Sequence, residues 1–485
     1  LGRTVRPFIS TPRTFAGFSA VRPGALLSAG LLVTSMFMTP QHVNAGETLL
    51  PCAAHSSILP TLRALDPTES EELNARVTMW QKGRRSRIAG VSVAIRWDDG
   101  RTFEAVAGSA DRSSGRPVTV GTPFALASVS KPFTAAVALL LDACGVLPLS
   151  TTAKSLVPKA DVDPGATAED LLRHESGMSD WLTDKYTRMD WLVAHPNANV
   201  GAMTAVQGLK PHGPIGRFDY SNSGFTLYTL MAEKATGRPW KSLVHTLLLD
   251  PLGLDEISYG PVAGAARPHL WSKGALRPWG TPGWGPTKSV AAVLRGAGDL
   301  FGTPRDLARF GSLLWSNRLV EGARSLELNG VANVTSNGWL YTYGTQVNRY
   351  WAGGLRIYGH SGGYSGVTTA VRRIPGLGIT IAVTANGTEG SNSSADDLAK
   401  AWRNVGGGTI ESPDVVSAIA TVRSPAELLQ DIASLVMHAG RPELVATTAV
   451  SVLAGSGHVD AATAIATATD GTSETLAAFS KYPTD

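Results

Sequence analysis

Two pairs of short segments alternate apolar and polar residues at the two-residue period of a half-buried strand. Residues 90–96 (GVSVAIR) do so and are rich in β-branched side chains; Asp98-Asp99-Gly100 turns the chain, and 102–107 returns. The second pair is 367–372 and 379–385 (ITIAVTA), separated by Pro375-Gly376-Leu377-Gly378. Both pairs predict hairpins. Between them the period changes to that of helices. Residues 132–141 are apolar enough for a buried helix, and 167–173 read as another, ended by His174-Glu175-Ser176-Gly177. Residues 225–236 (FTLYTLMAEKAT) carry apolar positions at helical spacing and stop at Gly237-Arg238-Pro239. Helices are predicted over 240–249, closed by Asp250-Pro251-Leu252-Gly253, and over 306–315. Strands at both ends with helices between predict an α+β body carrying a helical insertion, its two ends paired in one antiparallel sheet.

Residues 261–290 are rich in Gly, Pro and Trp, with Trp271, Trp279 and Trp284, and read as a surface excursion that either lines a cleft or is an ordinary loop. From about Gly406 the composition shifts to Ala, Thr, Ser and Val, with short helices read at 425–438 and 441–453. The organisation expected is a leader (1–45), an N-terminal connector (46–84), the α+β body (85–405) and an Ala/Thr-rich helical extension (406–485) to which no role is assigned.

Charge changes this picture little. The formal net charge is +4, but Arg3, Arg6, Arg13 and Arg22 all lie in the first 45 residues, which hold no acidic group. Taking those four from 43 basic residues leaves 39 against 39 acidic ones, so the body is formally neutral. No basic stripe with interleaved aromatics occurs, which argues against a nucleic-acid partner. In the leader, arginines precede the apolar run 24–38, and Val43-Asn44-Ala45 offers small residues for a cleavage site. That run is short for a span, which needs about 20 residues. Export to the periplasm or medium is the expectation, with membrane attachment only through an uncleaved leader. Two cysteines remain, Cys52 and Cys144. They pair if the compartment is oxidising; otherwise Cys144 is a small buried residue on a helix. No C-x-x-C, H-x-x-x-H or H-E-x-x-H spacing occurs, so neither a metal nor another cofactor is expected.

The candidate chemistry starts at Ser128-Val129-Ser130-Lys131. A serine hydroxyl is a poor nucleophile until a neighbour takes its proton, and one helical turn places a lysine three residues on beside it. A chain this long yields the bare pattern about once by chance, so its company decides. Tyr220-Ser221-Asn222 and then His360-Ser361-Gly362-Gly363 follow in order. Each residue has a plainer role available. Ser128 could cap the following helix, Lys131 could be solvated, Tyr220 and Asn222 could serve a loop, and His360 could be structural.

Taken together, the segments 122–134 (TPFALASVSKPFT), 171–180 (LLRHESGMSD), 218–224 (FDYSNSG) and 358–366 (YGHSGGYSG) resemble the serine β-lactamase and penicillin-recognising hydrolase superfamily. The closest likeness is to its class C-like branch of D-Ala-D-Ala carboxypeptidases, D-aminopeptidases and esterases. Residues 250–254 (DPLGL) and 298–310 (GDLFGTPRDLARF) are similar to it as well. The resemblance covers roughly 85–400 and implies a β-lactamase/transpeptidase-like fold. It implies that Ser128 attacks an acyl carbon, that Lys131 or Tyr220 takes its proton, and that Tyr220 serves the leaving group. Asn222 would bind a substrate amide, with Ser361 and Gly362 beside it on the substrate's path. Backbone N–H groups of Ser128 and Gly363 would form the oxyanion hole.

The third motif departs from the β-lactamase pattern, which has lysine where this chain has His360. A neutral imidazole offers a substrate carboxylate less charge than an ammonium, which argues against efficient antibiotic hydrolysis and leaves acyl transfer intact. The expected substrates are peptides with D-residues, or small esters and amides. Residues 359–363 also spell G-x-S-x-G, the nucleophile elbow of another hydrolase fold, but that elbow needs a helix after it and 367–372 is strand-like. The alternatives from other readings are a true β-lactamase and a non-catalytic binding protein that keeps the pocket.

Overall fold

The computed structural model describes Ala54 and most of residues 60–387; 280–287, 320–332, 335–338, 349–357, 375–378 and a few isolated positions lie outside the described residues. So do the leader, the segment 388–405 and the extension from 406 with the helices read in it.

The two predicted hairpins are the heart of one sheet. Strands β1 (Ile88–Trp97) and β2 (Arg101–Asp111) pair antiparallel. Along the remainder run β3 (Trp339–Thr342), β4 (Thr345–Asn348), β5 (Tyr358–Tyr364), β6 (Val367–Ile374) and β7 (Ile379–Gly387). Their spatial order is β2-β1-β7-β6-β5-β4-β3, with short strands at both edges. The first and last long strands, β1 and β7, are neighbours with Val93 opposite Val383, so the body's two ends close in one sheet as the pattern predicts. Every residue of β1 is buried, which requires cover on both faces.

Part of that cover comes from a stretch read as connector. Helix α1 (Pro67–Gly83) packs on β1 and β2, burying Leu73, Val77 and Gln81 along one stripe. Gln81 donates from Nε2 to the carbonyls of Ile88 and Ala89 at 3.2 and 3.1 Å. Most of the remaining positions of the helix are polar, so its sequence carries little helical signal.

The insertion holds α2 (Ser130–Ala143), α3 (Ala168–Leu172), α4 (Asn222–Thr236) and α5 (Trp240–Val244). Thr167 caps α3 in a capping box with Asp170, and Gly237 ends α4 at φ +68°. The sequence pattern predicts an all-helical insertion, and the structure corrects this: Phe124–Ala125, Leu300–Gly302 and Ser258–Tyr259 form a small sheet. Strands of two or three residues are too short for a period-two signal. Within the excursion at 261–290, His269–Ser272 pairs with Ala275–Pro278 as a hairpin. His269 is its anchor: fully buried, it accepts from Arg112 N–H at 3.3 Å. Trp271 is exposed and Trp279 packs against the main core.

Helix α6 (Pro304–Leu314) returns the chain to the sheet and packs on β1, β6 and β7. Phe310 on α6 stacks on Phe133 of α2, centroids 3.6 Å apart and planes 14° apart, and both rings are buried. This stack ties the helix that starts at the Ser128 turn to the helix that lies on the sheet. Phe310→Ala is expected to cost about 3–5 kcal/mol through the cavity it leaves, read as a lower midpoint in urea unfolding.

Candidate active site

Ser128 stands in a tight 3-10 turn (Ala127–Val129), just before α2 begins at Ser130. Its hydroxyl caps nothing: neither this turn nor α2 has a side-chain cap. Ala127, immediately before it, holds φ at +48°, a left-handed backbone that costs a non-glycine residue on the order of 1–3 kcal/mol. The turn leaves Ser128 half-buried while the next turn of helix carries Lys131 fully inside.

Lys131 is therefore not solvated. Its Nζ lies 2.7 Å from Asn222 Oδ1, 2.9 Å from the Ala297 carbonyl and 3.2 Å from Ser128 Oγ. Burial brings the amine down from 10.5 to about 7, against the opposing pull of Asp180 and Asp299. Two of its three partners can only accept. As an ammonium, Lys131 spends its third proton on Ser128 Oγ; as a free amine, it donates to the two carbonyl oxygens and turns its lone pair to the serine hydroxyl. Its protonation state thus sets the direction of the Ser128 hydrogen bond.

Tyr220 and Asn222 are presented by the start of α4, where Ser221 is the N-cap, accepting from Gly224 N–H at 3.2 Å. Asn222 is held by Asp180, to whose Oδ2 it donates at 2.7 Å, so its oxygen is the atom left for Lys131. Tyr220 bonds to Ser128 and to Tyr341, and burial holds its phenol above the usual range, as a neutral hydroxyl. Beneath it His174 stacks at 4.1 Å. His174 Nδ1 accepts from Ser221 N–H at 3.0 Å, and its backbone carbonyl accepts from Asp219 N–H at 2.7 Å. Burial first, then the Lys131 charge, push this imidazole well below 6.5 and keep it neutral.

The third motif arrives on β5. His360 and Gly362 face the serine, and Ser361 alternates away from them. A Cβ at Gly362 would lie 2.4 Å from the Leu126 carbonyl and 3.0 Å from Ser128 N, so only glycine lets the strand pass this close to the nucleophile turn. Gly363 follows, exposed. His360 reaches Tyr220 through another ring: its Nε2 bonds to the Tyr341 hydroxyl, while Nδ1 lies 2.5 Å from the Ser361 carbonyl. A carbonyl can only accept, so Nδ1 bears the proton and Nε2 takes that of Tyr341. Burial and the Lys131 charge hold His360 well below 6.5, in line with the neutral imidazole expected from sequence. The Ser361 hydroxyl, read as substrate-binding, accepts from Arg372 at 2.6 Å.

Ser128, Lys131, Tyr220 and Asn222 thus meet directly, and His360 joins through Tyr341. Sequence reasoning assigned no part to Tyr341, His174, Asp180 or Asp299. His174 and Asp180 stand inside a segment quoted for the resemblance; Tyr341 gave no signal. The rival elbow fails, since Ser361 lies within strand β5 and the element directly after it is strand β6, not a helix. Among the described residues no cluster of His, Cys, Asp or Glu could hold a metal.

A family model described as Beta-lactamase matches residues 72–404. The chain belongs to the beta-lactamase family. It is similar to Penicillin-binding protein 4* of Bacillus subtilis (strain 168), 31% identical over 150 residues, which are 31% of this chain and 33% of that protein. Penicillin-binding protein 4 of Amycolatopsis lactamdurans is 27% identical over 322 residues, 62% of this chain and 81% of that one. Esterase EstB of Burkholderia gladioli is 28% identical over 219 residues, 41% and 56% of the two chains. The match therefore spans a third of the Bacillus protein and just over half of the esterase. Among solved structures, D-amino acid amidase from Ochrobactrum anthropi SV3 shares the fold, with a TM-score of 0.53 at 24% identity over 66% of this chain and 93% of that one.

Two outcomes are expected. The rate of serine acylation rises as pH passes upward through about 7, because the amine must be free to accept the serine proton; Lys131→Arg, which keeps its charge, removes that rise and most of the activity. Gly362→Ala lowers kcat on the order of 100-fold or more, the size of losing one oxyanion donor, while the circular dichroism spectrum stays native.

Proposed function

We propose that this chain is an exported serine hydrolase that works through an acyl-enzyme on Ser128, with D-residue peptides or small esters and amides as substrates. The observation that carries the reading is the fully buried Lys131 amine, 3.2 Å from Ser128 Oγ and with its other two bonds given to pure acceptors.

The steps follow from the geometry. Free Lys131 draws the proton from Ser128 as Oγ attacks the substrate's carbonyl carbon. The oxygen that gains the charge meets the backbone N–H groups of Ser128 and Gly363. A proton then passes through neutral Tyr220 to the leaving amine or alkoxide, and the chain of hydroxyls from Tyr220 to Tyr341 to His360 holds that phenol in place. Water, reversing the roles, releases the acid and frees Ser128. Asn222, fixed by Asp180, gives the substrate amide a partner.

Several features support the finer parts. Histidine in place of lysine at position 360 brings a neutral group to the site, which suits peptide, amide or ester substrates more than the anionic antibiotics. The relatives and the structural neighbour bear the names of a penicillin-binding protein, an esterase and a D-amino acid amidase. Export is supported by the leader's pattern and by the disulfide that Cys144 forms.

Incubation of the purified chain with a fluorescent penicillin and with a fluorophosphonate, read by intact mass, tests this. Adduct on the native chain and none on Ser128→Ala is expected, and the faster probe points to peptidase or esterase. Folded native protein that takes neither probe would leave the non-catalytic binding protein in its place.

A further inference from the structure

Asp299 is a carboxylate buried to 1% exposure that the acylation steps do not use. Burial at this depth is costly unless the group is bonded or neutralised. Its Oδ1 accepts the Gly296 N–H at 3.1 Å, and among the described residues no ion pair is formed to it. Arg295, the cation whose charge acts on it, is taken by Glu233 through two bonds of 3.1 and 2.9 Å.

The Asp299–Gly296 bond closes a turn with Gly296 at φ +73°. That turn is pinned again from α2, where the Thr134 hydroxyl donates to the Gly296 carbonyl at 2.7 Å. The next carbonyl, of Ala297, is the one that accepts from Lys131 at 2.9 Å. So one buried acid fastens the turn that presents an acceptor to the amine, and its own charge acts on that amine.

We propose that Asp299 is a positioning residue for Lys131: its carboxylate fastens the 296–299 turn whose Ala297 carbonyl holds the amine, and its negative charge joins that of Asp180 in favouring the ammonium. The inference rests on Lys131 as the base for Ser128.

Other titratable groups face the pair. Asp180, His174, His360 and Tyr220 surround Lys131, and Tyr259 and Arg295 face Asp299. The two histidines and two phenols are held neutral by burial, so Asp299 and Asp180 are the negative charges that act on the amine. Burial lifts Asp299 itself to about 7, against the pull of its backbone hydrogen bonds, Arg295 and Lys131, so acid and amine titrate as a coupled pair in the same range. The sign is definite. A negative charge beside an ammonium favours it, so removing the charge frees the amine at lower pH.

The test uses Asp299→Asn, which keeps an oxygen for Gly296 N–H, with Asp299→Ser as a second neutral variant. The Lys131 titration is followed by NMR of the ¹³Cε-lysine-labelled chain, its signal assigned by loss in Lys131→Met. The acylation rate with a fluorophosphonate is followed across pH 5 to 9. In both neutral variants the NMR titration and the acid limb of acylation are expected to move down together by roughly one unit or more, the usual effect of one close charge. Thr134→Val, which loosens the same turn without touching charge, is expected to slow acylation and leave the limb where it is. An unmoved Lys131 titration in folded Asp299→Asn would overturn the proposal. Failure of both neutral variants to fold would do the same, by assigning Asp299 to the fold alone. A native chain that is never acylated sinks the hydrolase reading instead, and the NMR titration still decides the role of Asp299.

Discussion

Everything at this site depends on taking one ammonium-forming side chain out of water. Burying a lone ammonium costs several kcal/mol even after the protein relaxes, and the fold meets that cost in two ways. It lets the amine lose its proton near neutrality, and it surrounds the amine with three oxygens at 2.7–3.2 Å. Those oxygens come from three separate parts of the chain: the turn of Ser128, the cap of α4 and the 296–299 turn. Lys131 is thus a structural junction as well as the proposed base, and whatever positions its acceptors also bears on its protonation.

The surrounding architecture follows from that junction. Helix α2 has to be rigid and buried, and its apolar face and the Phe133–Phe310 stack make it so. Strand β5 has to pass within van der Waals reach of the nucleophile turn, which excludes a side chain at Gly362. The tyrosine loop has to stand still without a strand or helix of its own. His174 does that work by stacking on Tyr220 and by giving its Nδ1 and its carbonyl to the backbone of the same loop. The result is a line of neutral hydroxyls and imidazoles from Ser128 to His360, with the Lys131 amine at one end and the Arg372 guanidinium near the other.

The hairpins and the longer helices were legible because each buries one face over enough residues to show a period. Their ends shifted by a few residues, as at β1, which extends to Ile88–Trp97. What failed to show were elements whose partners are remote. Helix α1 is polar at most of its positions, the small sheet of the insertion has strands of two or three residues, and the His269 hairpin is held by a single buried imidazole. The site was legible in the same measure. Ser128, Lys131, Tyr220, Asn222 and His360 lie in short motifs, and the structure gathers them. Tyr341 stands 121 positions from the Tyr220 it holds, and Asp299 stands 168 from Lys131 and reaches it through a backbone turn; Asp299 falls in a segment quoted for the resemblance, but no motif there marks it.

The sequence by itself determined which residues are candidates for chemistry and which longer segments are strand or helix, because motif spacing and hydrophobic period are local properties of the chain. Only the tertiary structure decided their protonation and order. The lowered basicity of Lys131, the tautomer of His360 and the neutral phenol of Tyr220 are consequences of burial and of acceptors brought in from distant segments. Desolvation and hydrogen-bond direction exist only once the chain has closed around them.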